Sequence, residues 1–252
     1  MTVNPWNRRY EYVYQAGESE RTPEDLISVC IPHFNYGDFI GECLDSVLGQ
    51  THKNLELIVV DDCSEDISSV SVISDWADRN KTRFHNVSII RNMRNAGPSV
   101  SRNIAVDQAA GEFILLVDAD NILFPRAAEK LLSACLDGGF DAVYPQITEM
   151  GDRLGLGHAD IWDPDRLRKG NYIDVTSLLR KKAFQLVGGF SHIEDGWEDY
   201  DFWMKFVRGK LDVGFLPEIL CKYRVHKTSR TSREALPAHF DLELIMAFRH
   251  PV

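Results

Sequence analysis

Short apolar runs alternate with helical patterns between residues 26 and 144, and this alternation constrains the fold more than any other feature of the sequence. Each run has the length of a strand, and the segments between the runs repeat apolar residues with the spacing of a helix. Buried strands separated by helices are typical of βαβ units, in which helices cover both faces of a mostly parallel sheet. We therefore predict an α/β fold with strands at residues 26–31, 55–60, 87–90, 113–117 and 141–144.

The segments between these strands carry signals for the start of helices. Asp38 is predicted to cap the first helix, and Pro125 is predicted to lie in the first turn of a later one. After residue 146 the regular alternation stops, and the prediction there is less regular too. It comprises a long loop at 149–170, a strand at 175–179, a helix at 198–208, two strands at 212–216 and 220–225, and a closing helix at 235–248.

Charge and cysteine content exclude several classes of protein. The 252 residues include 28 Lys and Arg against 38 Asp and Glu, a net charge of −10, which argues against a nucleic-acid partner. No apolar run approaches the ~20 residues that span a bilayer, and no secretory signal is visible, so we predict no transmembrane segment. The five cysteines are scattered, without a C-x-x-C pair. This pattern suits free thiols in a reducing compartment, and we expect a cytoplasmic protein.

Polar residues follow three of the predicted strands at the point where each strand ends. They are residues 32–35, the pair Asp61-Asp62, and the stretch Asp118-Ala119-Asp120. Ligands of open α/β sheets bind beyond the carboxyl ends of the strands. Asp118 and Asp120 are two residues apart and project to one side; with diphosphate oxygens and water they suit Mg²⁺ or Mn²⁺. A turn with two solvated aspartates is the alternative.

A second group of carboxylates surrounds the start of the helix predicted at 198–208. A carboxylate in this group is a candidate general base, because Trp197 and its apolar neighbours provide surroundings that raise a carboxyl pKa. The alternative is structural. Acids in the first turn complement the helix dipole, and Asp201 with Lys205 has the spacing of an i,i+4 ion pair.

Residues 95–103 combine a turn with the start of a helix, where free backbone N–H groups and nearby arginines favour an anion. For Arg91 and Arg94, an ordinary capped helix with exposed arginines is the better interpretation. For Arg102 this structural alternative is weaker. A lone histidine near a strand end, such as His226, is usually a surface residue. It gains weight only if the chain returns it to Asp120, where an imidazole could ligate a metal.

Taken in order, these motifs resemble the family 2 glycosyltransferases with the GT-A fold. The resemblance rests on residues 27–35, 50–64, 95–103, 118–120 and 188–190, followed by the acidic stretch 197–201. It implies a Rossmann-like, mostly parallel central sheet with helices on both faces and a mixed C-terminal part on the acceptor side. Residues 26–226 would then form a single domain, with a nucleotide-sugar half at 26–121 and an acceptor half at 122–226, between an N-terminal extension at 1–25 and a helical tail at 227–252.

The resemblance also implies roles for residues on the nucleotide side. Pro32 and Phe34 would lie beside the nucleotide base, and Asp62 would hold the uracil or the ribose. Arg102 would stand near the nucleotide, and Asp118 would touch the ribose or the sugar.

Further implied roles concern the metal and the acceptor. Asp120 would bind the Mn²⁺ or Mg²⁺ that bridges the diphosphate, and His226 would be a further metal ligand. Asp199 would be the catalytic base, and Glu198 would help to hold the acceptor. His33 departs from the pattern, since relatives often carry a small residue there.

The implied activity is metal-dependent transfer of a sugar, with inversion, from a nucleoside-diphosphate sugar, most simply a UDP-sugar, to a hydroxyl of a glycan, lipid-linked or other acceptor. Peripheral association with the inner face of the membrane is the alternative to a fully cytoplasmic location. Two other functions stay open: a sugar-1-phosphate nucleotidyltransferase and a non-catalytic nucleotide-sugar-binding module. A nucleotidyltransferase would be expected to carry a glycine-rich basic loop after the first strand. Hydrolysis of a nucleotide sugar would distinguish the three.

Overall fold

The protein is described from a computed structural model that covers residues 10–17, 22–227, 229 and 234–251. In these residues a ten-stranded mixed sheet has the order β1-β4-β3-β2-β5-β9-β7-β10-β6, with β8 paired to β7. The strands are β1 Tyr10–Ala16, β2 Ile27–His33, β3 Leu55–Asp61, β4 Val87–Asn92, β5 Phe113–Leu116, β6 Ile122–Leu123, β7 Ala142–Gly151, β8 Gly155–Leu156, β9 Ser177–Arg180 and β10 Val213–Val225. The helices are α1 Gly37–Leu48, α2 Ile67–Asn80, α3 Pro98–Gln108, α4 Ala127–Asp137, α5 Pro164–Leu167, α6 Lys181–Val187, α7 Glu198–Gly209 and α8 His239–Arg249.

The first part of the sheet is parallel, as the alternation of apolar runs predicts. β4, β3, β2 and β5 are neighbours and all point the same way. Side chains alternate between two apolar clusters: Val29 packs into the cluster that includes α1, α2 and α4, whereas Cys30 packs into the cluster that includes α3 and α7. Because both faces are covered, these strands are apolar at nearly every position. The α/β prediction with helices on both faces is confirmed.

The second part of the sheet is mixed. β9 runs antiparallel to both β5 and β7, and β10 runs parallel to β7. At the far edge β6 pairs antiparallel with β10, and at the other edge β1 pairs antiparallel with β4. The alternating tyrosines near the N-terminus therefore belong to an edge strand, and the predicted mixed C-terminal part is present. Residues 1–9 and 18–21 of the predicted N-terminal extension lie outside the described residues.

Three local predictions were wrong. Asp38 lies in the first turn of α1, whose cap position is Tyr36. The two strands predicted at 212–216 and 220–225 form one strand, β10, because Pro217 causes a register irregularity and not a break; proline lacks the N–H of a sheet ladder. The predicted loop at 149–170 contains the end of β7, β8 and α5. Leu167 is buried there and Trp162 packs edge-on against Trp203 at 6.3 Å.

The predicted closing helix corresponds to α8, which is docked onto the start of α7. Asp201 of α7 is fully buried. Its Oδ1 accepts hydrogen bonds from Arg249 Nε at 2.6 Å and lies 2.8 Å from His250 Nε2. The predicted pair of Asp201 with Lys205 is present at 3.4 Å. Of the helices in the described part of the chain, none is long and apolar enough to cross a bilayer.

Candidate active site

A cavity of about 1680 Å³ opens at the carboxyl ends of the parallel strands. Typical small-ligand pockets measure ~300–1,000 Å³, so this one has room for an extended ligand together with a second molecule. The structure brings the sequence-predicted site residues together there. Those that line the cavity are Pro32, Phe34, Asp62, Arg102, Asp118, Asp120, Glu198 and Asp199. His226 is not among the lining residues but contacts Asp120.

Asp62, just after β3, is buried and ties the turn before α3 to the sheet. Its carboxylate accepts hydrogen bonds from Asn92 Nδ2 at 2.6 Å, from the Ala96 backbone N–H at 3.0 Å and from the Gly97 N–H at 2.7 Å. Burial raises the pKa of Asp62 despite these bonds. The turn needs glycine, since Gly97 has a φ of +83°. Asp62 therefore shapes the cavity wall as well as lining it.

A buried network joins the ends of β2 and β3 beneath this wall. His33 is 1% exposed, and its Nδ1 lies 2.9 Å from Asp61 Oδ1. Arg91 Nε lies 3.5 Å from Asp61 Oδ2, and Arg91 also donates to the Ser64 carbonyl. The prediction that Arg91 is an exposed arginine was therefore wrong, whereas Arg94 is exposed and lines the cavity.

Arg102 of α3 joins the two sides of the cavity. Its Nη2 donates to Asp118 Oδ1 at 2.7 Å and its Nη1 donates to Glu198 Oε1 at 2.9 Å. The guanidinium is nearly buried and lies over the Phe190 ring at 5.2 Å. One cation thus neutralises a carboxylate at the end of β5 and another at the start of α7, which fixes the distance between these elements.

Asn103, the neighbour of Arg102, explains why the Gly-Gly-Phe motif lies beside α3. Its Nδ2 donates to the Phe190 carbonyl at 2.9 Å and its Oδ1 accepts the Phe190 N–H at 2.9 Å. Gly189 has a φ of +68°, and a Cβ there would lie 2.6 Å from Asn103 Oδ1. The close approach of this loop to α3 therefore requires glycine at position 189.

Asp120 and His226 face each other at the metal position that the motifs predict. His226 Nε2 lies 3.0 Å from Asp120 Oδ2, and the imidazole packs against the rings of Tyr36 and Phe39 at 5.4 and 5.0 Å. Burial, followed by the charge of Asp118, raises the pKa of Asp120 to about 6.

Within the described ranges, no set of three or more His, Cys, Asp or Glu side chains forms a complete metal site. A buried carboxylate and an imidazole in contact are nevertheless suitable ligands for Mn²⁺ or Mg²⁺ when substrate phosphates and water complete the shell. The residues present therefore fit a cation that binds together with a diphosphate.

Asp199 lies in the first turn of α7, after left-handed backbone at Gly196 and Trp197 turns the chain into the helix. The side chain is half-buried; it accepts the Tyr200 N–H at 2.8 Å and Asn171 Nδ2 at 2.9 Å. Burial, then the charges of Glu198 and Asp174, raise the pKa of Asp199 to about 7. A carboxylate that ionises near neutral pH can accept a proton from a reacting hydroxyl.

Two cavity residues, Asn171 and Asp174, were missed in the sequence analysis. Both lie in the segment that leads into β9, and both line the cavity. Asp174 Oδ1 accepts the Thr176 N–H at 2.8 Å, and burial, then the Asp118 charge, raises the pKa of Asp174. No motif marks these positions; the available signal was a polar residue immediately before a predicted buried strand.

The chain resembles known proteins in sequence and in fold. A family model described as Glycosyl transferase family 2 matches residues 28–191. An uncharacterised glycosyltransferase of Haemophilus influenzae is 26% identical over 223 residues, which cover 84% of this chain and 71% of that protein. The poly(ribitol-phosphate) beta-glucosyltransferase of Bacillus spizizenii is 41% identical over 104 residues, which cover 40% of this chain and 16% of that protein.

A solved structure shares the fold. S. aureus TarS 1–349 in complex with UDP-GlcNAc superposes with a TM-score of 0.72 at 20% identity, covering 89% of this chain and 66% of that chain. At this identity the likeness concerns the fold, and the present chain spans about two thirds of the length of that neighbour.

Proposed function

The chain belongs to glycosyl transferase family 2, and from that premise we propose that it moves a sugar from a UDP-sugar to an acceptor hydroxyl, with inversion at the anomeric carbon. The acceptor is a glycan, a lipid-linked sugar or a similar hydroxyl-bearing molecule. The size of the cavity at the strand ends supports the proposal, as does the UDP-GlcNAc bound by TarS, a protein of the same fold. Family membership favours this activity over a nucleotidyltransferase or a non-catalytic binding module.

The observation that carries the proposal is the raised pKa of Asp199 inside the cavity. Its pKa is raised to about 7 in a cavity that it shares with Asp118 and Asp120. A base of this strength is partly ionised at neutral pH and still binds a proton readily. A single base suffices for a direct displacement, which inverts configuration without a covalent intermediate.

Asp120 and His226 would hold Mn²⁺ or Mg²⁺, and the bound cation would supply positive charge against the diphosphate. Pro32 and Phe34 lie at the end of β2, where a base could stack, and Asp62 lies at the adjacent strand end for the uracil or ribose. This arrangement uses the strand ends for the nucleotide and leaves the start of α7 for the acceptor.

The chemical step then follows from the positions of the side chains. Asp199 takes the proton of the acceptor hydroxyl as its oxygen forms a bond to the anomeric carbon. On the opposite face, the bond between that carbon and the diphosphate oxygen breaks, and UDP leaves with the bonding electrons. Asn171 keeps the Asp199 carboxylate oriented through its 2.9 Å hydrogen bond. Arg102 holds Asp118 beside the donor and Glu198 beside the acceptor.

The test is binding and turnover with defined donors. Calorimetry should detect UDP binding that Mn²⁺ strengthens, and a thermal-shift screen should favour UDP-sugars over ADP-, GDP- and CDP-sugars, because a ligand of the native state stabilises it. With UDP-glucose or UDP-N-acetylglucosamine, the wild type should release UDP slowly in water and faster with an acceptor. Absence of binding by any nucleoside diphosphate, with a folded protein, would contradict the proposal.

A further inference from the structure

The segment that leads into β9 brings a carboxylate to the cavity from the direction opposite to the parallel strands. β9 runs antiparallel to β5, with Ser177 opposite Leu116. The residues just before Ser177 therefore lie alongside the residues just after Leu116. This pairing places Asp174, which lines the cavity, beside the Asp118–Asp120 stretch.

Within the described part of the chain, Asp174 is anchored by one neighbour, Thr176. Its Oδ1 accepts the Thr176 N–H at 2.8 Å, whereas the Thr176 hydroxyl lies 3.8 Å from Cys221 Sγ. An ionised carboxylate has about four acceptor positions. Among the described residues no other group donates a hydrogen bond to Asp174, so acceptor capacity remains on a side chain that is fixed in place and faces a cavity.

The charges near Asp174 show where it stands relative to the reacting groups. Asp118 raises the pKa of Asp174 after burial does, and Arg102 lowers it. Asp174 in turn raises the pKa of Asp199. Charge interactions weaken with distance, and Asp118, Asp174 and Asp199 line the same cavity. Asp174 is therefore near the strand end on the diphosphate side and also near the proposed base.

A transferred sugar must connect these two places. Its anomeric carbon carries the diphosphate on one face and receives the acceptor oxygen, next to Asp199, on the other. The sugar ring therefore lies between the strand ends and the start of α7, where Asp174 lines the cavity.

On the basis of the proposed function, we infer that Asp174 is a donor-specificity residue that accepts hydrogen bonds from hydroxyls of the donor sugar. Hydroxyl donors bind an ionised acceptor more strongly than a neutral one. A site built to bind a hydroxyl discriminates strongly against analogues that lack it, because the buried acceptor is then left unpaired. Asp174 selects the sugar, whereas Asp62 and Asp120 serve the nucleotide.

The experiment compares Asp174→Ala and Asp174→Asn with the wild type and with Asp75→Asn. Asp75 is a matched control, because it is an exposed aspartate on α2 that does not line the cavity. UDP affinity, measured by calorimetry with Mn²⁺, should stay within about twofold in all four, because UDP has no sugar hydroxyl to contact Asp174. The KM for UDP-glucose or UDP-N-acetylglucosamine should rise about 10- to 100-fold in Asp174→Ala, as expected for lost hydrogen bonds to a charged group. Asp174→Asn keeps one acceptor oxygen, so its donor KM should lie between those of the wild type and Asp174→Ala.

Deoxy donors identify the contact. In the wild type, a UDP-sugar that lacks the contacted hydroxyl should lose affinity, and in Asp174→Ala the same deletion should have no further effect. Additive losses would overturn the inference, as would an increased acceptor KM with an unchanged donor KM or equal weakening of UDP and UDP-sugars; each of these leaves the proposed function standing. A wild type that binds neither UDP nor UDP-sugars would overturn the proposed function and this inference with it.

Discussion

The proposed nucleotide side of the cavity, at the ends of the parallel strands, and the proposed acceptor side, at the start of α7, are built in different ways. On the nucleotide side, Asp62 follows β3 and Asp118 follows β5, the parallel strands on either side of β2, so the regular backbone of the sheet brings them to the same edge. On the acceptor side, hydrogen bonds between individual side chains position the acidic residues. Asn171 orients Asp199, and Arg249 holds Asp201. The strand pattern therefore positions one side, and long-range side-chain contacts position the other. Changes on the first side should affect donor binding, and changes on the second should affect rate, pH dependence and stability.

The largest effect is expected from Asp199→Asn. The substitution keeps the shape of the side chain and removes the proton acceptor, so transfer should fall by ~10²–10⁴-fold. UDP affinity in Mn²⁺ should be unchanged, because the residues proposed to bind the nucleotide lie on the other side of the cavity. Steady-state transfer and calorimetry on the same preparation test both statements, with the exposed Asp137→Asn as the control.

Stability gives an independent check on this variant. The folded-state pKa of Asp199 is raised above its unfolded value, so ionisation costs folding free energy as the pH rises through about 7. Asp199→Asn should therefore melt no lower than the wild type at pH 8, and the difference should shrink below pH 5, where the wild-type carboxyl is protonated. Near-normal transfer by the variant would mean that the base lies elsewhere.

The next largest effect is expected from Asp120→Ala, on the nucleotide side. Loss of even an outer-shell partner of a metal typically costs ~10–100-fold in affinity, and loss of the buried carboxylate itself should cost at least as much. Mn²⁺ should then no longer strengthen UDP binding. His226→Ala should weaken the Mn²⁺ effect as well, since Nε2 contacts the same carboxylate at 3.0 Å. Calorimetric titration of UDP with and without Mn²⁺ measures this, and an unchanged Mn²⁺ effect in Asp120→Ala would contradict the assignment.

More of the nucleotide side than of the acceptor side could be predicted from the sequence. Strand positions and the residues after them could be predicted, because the length of a buried apolar run sets where a strand ends. Even there, the bonds of Asp62 to Asn92 and Gly97 were not foreseen, because the partners come from the next strand and the turn after it.

Less of the acceptor side could be predicted from the sequence. Two strands were predicted at 212–216 and 220–225, yet β10 continues through Pro217 between them, since pairing to β7 on both sides of the irregularity holds the strand together. Asn171 and Asp174 lie in no motif, and their positions depend on β9 inserting antiparallel between β5 and β7. Strand order of that kind is set by tertiary packing and leaves no local pattern in the sequence.

A smaller effect, on pH dependence, is expected from Asn171→Ala. The Asn171 amide donates to Asp199 Oδ2, and a hydrogen bond to the ionised form favours ionisation. Its loss should raise the pKa of Asp199 further, moving the acidic limb of the kcat profile up by about one pH unit, which corresponds to about 1.4 kcal/mol. The groups that face this carboxyl otherwise stay in place: Glu198 and Asp174 oppose ionisation, and Arg102 favours it.

The rate of Asn171→Ala should therefore fall several-fold at pH 6.5 and approach that of the wild type at pH 8.5. In an Asp199→Asn background, Asn171→Ala should leave the pH profile unchanged, because the group that it acts on is gone. A uniform loss of rate at every pH would show that Asn171 supports the fold and does not tune the base.

The smallest effect is expected from Arg249→Gln, which weakens the contact between α8 and α7. Burial alone would raise the pKa of Asp201, but His250 and Arg249 hold it well below its usual range. Such a carboxylate stabilises the fold fully above its unfolded pKa of ~3.9, and the contribution is lost progressively as the pH falls below that value toward the lower folded-state pKa. Hydrogen bonds to charged groups contribute ~1.5–3 kcal/mol, and the partly exposed Arg249 side chain reduces this to about 1 kcal/mol. The melting temperature should drop by roughly 2–4 °C at pH 7, with a smaller difference at pH 3.5.

Arg168→Gln is the matched control, because Arg168 pairs with the exposed Asp165 on α5 and should contribute little. Transfer at saturating donor should change less than about twofold, since His250 and Lys205 still hold Asp201, two residues from the proposed base. An equal drop in both variants would show that side-chain contacts do not specify the acceptor side more than the rest of the surface.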